Sequence, residues 1–125
     1  MNFQGRRFAA GETIYSEWFS RGGDNMILRG QAVERDSTSS VTFNIFTKNP
    51  DEAGDPAHEV QDSGGTDYSL VLDDPATAGG FKEIVVTSEA TALKGLKTLI
   101  RLQATATGTF ILARLFPPVF FDHAS

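Results

Sequence analysis

The stretch Val41-Thr42-Phe43-Asn44-Ile45-Phe46-Thr47 sets Val41, Phe43 and Ile45 in alternation with Thr42 and Asn44. Successive side chains of a strand point to opposite faces, so this pattern predicts a strand with one face buried and the other wet. Working outward, residues Asn25 to Arg35 carry Met26, Ile27, Leu28 and Val33 before a break at Asp36-Ser37-Thr38-Ser39. The two runs read as a hairpin around that break. Gly30, inside the first run, marks a bulge or the close approach of another backbone.

Further runs rich in Val, Ile, Thr, Phe and Tyr fall between Gly, Pro, Asp and Asn, the pattern of short strands separated by turns. They cover about Asn2 to Phe8, Thr13 to Phe19, Tyr68 to Leu72 and Phe81 to Thr87. Toward the carboxyl end, Thr98 to Ala106 and Thr109 to Phe116 read as a second hairpin turning near Thr107-Gly108. Thr13 to Phe19 lacks clean alternation around Glu17 and Trp18. Asn49 to Thr66 is a long acidic connection with one short extended piece near His58 to Gln61. Ala90 to Lys97 is the one segment whose Ala, Leu and Lys favour a helical turn. With no crossover helix of ten or more residues, about eight short strands predict an all-β antiparallel sandwich of jelly-roll-like type. The 125 residues fit a single domain that buries roughly two-thirds of its unfolded surface.

With 40% hydrophobic and 22% charged residues the chain has the composition of a folded globular protein. A formal charge of −5 and scattered Lys and Arg argue against direct nucleic-acid binding, which needs clustered cations. The absence of cysteine removes disulfides, thiolate metal sites and a cysteine nucleophile. No stretch approaches the ~20 apolar residues of a membrane span. Met1 to Phe8 has no apolar core after its charges, so the expectation is synthesis in a cytoplasm without Sec-type export and no membrane partner.

Catalytic chemistry finds little purchase. The two histidines, His58 and His123, lie in no nucleophile motif. Glu17, Glu34, Glu83 and Glu89 fall on strand-like runs, but no spacing selects an acid and base pair among them. Asp51-Glu52-Ala53-Gly54-Asp55-Pro56 does not meet the pattern of a calcium-binding EF-hand loop. Gly22-Gly23, Gly64-Gly65 and Gly79-Gly80 are doublets without the residues of a phosphate cradle and read as turns. The expectation is a non-enzymatic protein without a cofactor or metal.

Aromatic usage is more informative, with ten Phe against one Trp and two Tyr. Sugar-binding faces stack pyranose rings on Trp and Tyr, and Tyr15 with Trp18, and after them Tyr68, are the residues that could do so. A carbohydrate- or ligand-binding sandwich is therefore the alternative reading. The leading one rests on the run from Phe110 to Phe121, nearly unbroken in apolar residues. Pro117-Pro118 cannot donate to a strand ladder, so Val119-Phe120-Phe121 is expected to leave the strand as an edge or arm, with an apolar terminal segment at about 116 to 125. Phe116, Val119, Phe120 and Phe121 become the expected partner-binding residues, with Phe3 and Phe8 a weaker case at the other end. An acidic, cysteine-free sandwich with Phe-rich ends resembles the small accessory proteins of tailed-phage and other viral particles. That resemblance implies a capsid cement, decoration or adaptor protein in the virion, with protein partners in a large assembly and copies of itself.

Overall fold

The computed structural model describes residues 6–9, 11–23, 25–36, 38–48, 58–61, 66–86 and 99–121. Within them run eleven strands: β1 (Arg6–Ala9), β2 (Thr13–Tyr15), β3 (Phe19–Ser20), β4 (Asn25–Arg35), β5 (Ser40–Lys48), β6 (His58–Glu59), β7 (Ser69–Leu72), β8 (Phe81–Val86), β9 (Leu99–Thr107), β10 (Phe110–Leu115) and β11 (Val119–Phe121). All pairings are antiparallel, and the strands form two sheets.

Short strands share lanes. In the first sheet β8 takes one side of β4, while β10 and β11 lie end to end along its other side, and β1 closes the far edge on β10. In the second sheet β9 pairs along the whole of β5; β2 and β3 share the outer side of β9, and β7 and β6 share the outer side of β5. The lanes run β1, β10/β11, β4, β8 against β2/β3, β9, β5, β6/β7, so the eleven strands occupy eight lanes. This is the order of a jelly roll, and the all-β sandwich read from the sequence is the fold observed.

Both expected hairpins are corrected. β4 and β5 belong to opposite sheets, as do β9 and β10, so residues 36–39 and Thr107-Gly108 carry the chain across the sandwich. The two corners brace each other. Ser39, fully buried, donates through Oγ to the Asp36 carbonyl oxygen at 2.6 Å and accepts from the backbone N–H groups of Thr109 and Phe110 at 2.8 and 3.2 Å. Gly108 sits against it with φ +88°, where a Cβ would collide with Ser39. Alternation along a strand records which face is buried and not which sheet the next strand joins, so a sheet-crossing corner reads like a hairpin turn.

The core lies between the sheets. Val41, Phe43 and Ile45 of β5 and Ile100, Leu102, Ala104 and Ala106 of β9 face Phe8, Met26, Leu28, Ala32, Val86, Ile111, Ala113 and Leu115 of the first sheet. Phe8 meets Phe43 edge-on at 6.2 Å, joining the layers. At Gly30 a Cβ would lie 2.8 Å from Leu72 Cδ1 and 3.0 Å from the Arg114 carbonyl oxygen, the close approach expected there. The extended piece expected near His58 to Gln61 appears as β6 and a bridge between Gln61 and Asp67. Ala90 to Lys97, where a helical turn was expected, lies outside the described residues, as do 49–57 and 62–65 of the acidic connection. Among the described residues the helical element is instead a single 3-10 turn, Ala78–Gly80.

Candidate functional site

The ladder of the first sheet sets Val85 of β8 opposite Ile27 of β4, and Ile27 opposite Val119 of β11. Opposed residues share a face, so the three form a row across three strands on the side away from the core. Val85 and Val119 are 44% and 58% exposed, and Ile27 between them is half-buried. Phe121, two residues beyond Val119 and 38% exposed, extends the row. Beside it the register sets Glu83 opposite Arg29, both exposed. The result is an apolar strip flanked by one group of each sign.

The expected partner-binding residues that are described separate into three groups. Phe8 is a core residue with no exposed surface and is corrected from a docking role: opposite Ile111, its side chain points between the sheets. Phe116 and Phe120 are engaged within the chain. The Phe116 ring stacks on Phe81 with centroids 6.2 Å apart, and the guanidinium groups of Arg29 and Arg114 lie 5.7 and 5.0 Å from its centre. Phe120 packs inward, 6.5 Å from Phe19, over Gly22, where a Cβ would stand 3.1 Å from its ring. Val119 and Phe121 remain exposed, but on the domain's own sheet and not on a free arm. Phe3 lies outside the described residues.

A second arrangement covers the outer face of the other sheet. Tyr15 pairs with Gln103 and Phe19 with Ile100, so four residues of the chain span three of β9. Ser16 makes the accommodation: its backbone N–H donates to the Leu102 carbonyl oxygen at 2.9 Å, while its Oγ accepts from the Leu102 N–H at 2.9 Å and donates to the Glu17 carbonyl oxygen at 2.9 Å. The extra residue is a bulge. It brings Trp18 to the same face as Tyr15 although the two are three positions apart, which no strand alternation predicts.

Both rings then meet Arg101, whose guanidinium carbon lies 4.5 Å from the Tyr15 ring centre and 4.8 Å from that of Trp18. Lys48 Nζ lies 4.6 Å from the Trp18 ring centre. Gln103 donates to the Tyr15 hydroxyl at 3.2 Å. Arg101 Nε is buried without an acceptor. Sequence reading found the two aromatics but missed Arg101 and Lys48; the available signal was the polar side of the alternation along Thr98 to Ala106.

Next to this platform, Glu59 pairs with Phe46, which pairs in turn with Arg101. Burial first, then a hydrogen bond to Asp67 and its charge, push the Glu59 carboxyl up to about 7. Asp67, accepting from Glu59 and from Gln61 Nε2 at 2.8 Å, is held below its ordinary value. The folded chain therefore keeps the Glu59 proton where the unfolded chain has released it, above about 4.5. Stability is expected to fall as pH rises from about 5 to about 7 and then to level off. Asp67 acts in a lower window, its contribution being lost as pH falls below its ordinary value near 3.8. Thermal midpoints of wild type and Glu59→Gln across this range provide the check: the variant should lose this part of the slope, and parallel profiles would contradict the assignment.

The other carboxylates considered do not converge. Glu34 stands opposite Leu112 and Glu83 opposite Arg29 on the first sheet, and Glu17 sits beside the bulge of the second. Glu89 and His123 lie outside the described residues, and His58 is described only as a backbone pairing with Thr47. No protein-family model matches the sequence, and no curated protein shows significant similarity to it.

Proposed function

We propose that this protein is a non-enzymatic structural component that associates with copies of itself and docks into a larger protein assembly, as a cement, decoration or adaptor protein of a viral (phage) particle does. The observation that carries the reading is the row Val85, Ile27, Val119 with Phe121. Four apolar side chains on one sheet face, two of them more than two-fifths exposed, lose contact with water when a second surface covers them, at about 1.5–3 kcal/mol for each large side chain fully buried. The flanking Arg29 and Glu83 make the strip self-complementary. A copy related by a twofold axis parallel to the strands, between β4 and β8, sets Ile27 against Val85 and Arg29 against Glu83.

The jelly-roll order supports the same reading, since capsid domains are among the proteins built on it, although a fold by itself assigns no function. Assembly through this strip requires only the exposed part of the carboxyl-terminal run, because Phe116 and Phe120 already serve the domain itself. A charge placed in the row, as in Val119→Lys, should abolish association while leaving the thermal midpoint close to that of wild type. Loss of folding in that variant, or association unchanged by it, would count against the strip.

A further inference from the structure

We propose that the outer face of the second sheet binds an acidic polysaccharide, with a uronate carboxylate held by Arg101 and Lys48 and a pyranose ring laid against the exposed Tyr15 beside Trp18. The inference goes beyond the assembly reading and does not depend on it. In a chain of net charge −5, two cations are drawn to one spot by aromatic faces and not by carboxylates. Arg101 lies within 5 Å of two ring centres and Lys48 within 5 Å of one. Among the described residues, the ion pair formed is Lys82 of β8 with Asp73, just after β7, and neither Arg101 nor Lys48 has an acidic partner.

The unpaired cations favour an anionic ligand. Arg101 Nε is buried without an acceptor, so no protein group within hydrogen-bond reach of it offsets the guanidinium charge. Stacking on a ring occupies the face of a guanidinium and leaves its edge donors in plane, the geometry that takes a carboxylate through two parallel hydrogen bonds. The rest of the face identifies the scaffold. Tyr15 is 51% exposed, and an exposed aromatic side chain offers the apolar surface on which the C–H face of a sugar lies. Asn44, paired with Gln103 across the ladder, adds amide groups able to exchange hydrogen bonds with ring hydroxyls. A polyphosphate backbone fits less well, because such chains draw their affinity from many cations and, among the described residues, the aromatic cluster gathers Arg101 and Lys48.

Trp18 is the sole tryptophan, so its emission reports occupancy directly. The probes are oligogalacturonate, oligoalginate and hyaluronan oligosaccharides, with methyl-esterified oligogalacturonate as the uncharged twin and oligothymidylate as the phosphate comparison. At least one uronate oligomer should give a saturable change in Trp18 emission. Its dissociation constant should be about tenfold or more below that of the ester, and should rise about tenfold in Arg101→Gln and in Lys48→Gln, with Arg101→Lys intermediate. Should Arg101→Gln fail to fold, the comparison of acid and ester on the wild-type protein still decides. No response to any uronate at millimolar concentration, an equal response to acid and ester, or a stronger response to oligothymidylate would each overturn the proposal.

Discussion

Replacing Phe43 by alanine is expected to lower the stability of the domain by about 3–5 kcal/mol, the range for truncating a buried phenylalanine. Phe43 has no exposed surface and stands at the centre of β5, with Leu70 on one side and Ala104 on the other. Opposite it is Phe8, edge-on at 6.2 Å, so the ring bridges the two sheets where the cross-strand neighbour on β9 is only a methyl group. Removing the ring leaves a cavity among Leu70, Ala104 and Phe8, and the cavity term adds to the lost transfer energy. Domains of this size have about 5–15 kcal/mol in all. Urea denaturation should therefore show a large fall in midpoint with little change in slope. A loss below about 1 kcal/mol would mean that the layers are joined elsewhere.

Truncation after Phe116 is expected to be nearly as damaging, because the residues removed include a strand of the domain. β11 pairs with residues 25 to 27 of β4 and carries Phe120 onto the core beside Phe19. Its loss strips cover from Met26, which has no exposed surface, and leaves one side of β4 unpaired there. Burial of the phenylalanine is worth about 1.5–3 kcal/mol and each ladder hydrogen bond a net ~1 kcal/mol, for a total of about 3–5 kcal/mol. The thermal midpoint of the shortened chain measures this. A terminal arm used only for docking would leave the midpoint unchanged, and that result would contradict the place of β11 in the sheet.

These residues also show what was legible in the sequence. The alternation of Val41, Phe43 and Ile45 states the burial of β5 correctly, because one side chain in two faces the core whatever lies beyond the strand ends. It does not state topology. Whether residues 36–39 turn within one sheet or cross to the other depends on contacts from Ser39 to Thr109 and Phe110, some seventy positions away. Pro117-Pro118 interrupts the strand as its missing N–H groups require, yet pairing resumes along the same side of β4 once the prolines are passed.

The two candidate faces were less visible for the same reason. Tyr15 and Trp18 stood out by type, but their meeting depends on the bulge at Ser16 and on Arg101 arriving from β9. The row on the first sheet is assembled from positions 27, 85 and 119, and nothing in three separate stretches announces that they lie abreast. Phe8 shows the converse error, since nearness to the amino end suggested an extension where pairing with Ile111 turns the ring inward.

The strip formed by Val85, Ile27, Val119 and Phe121 carries the proposed assembly, and its most direct test is molar mass by light scattering over rising concentration for wild type and Val119→Lys. The expected result is a defined multiple of the 13.5 kDa chain for wild type, reduced to the single chain in the folded variant. A wild-type protein that remains at 13.5 kDa at every concentration, or an oligomer that survives the lysine, would contradict it.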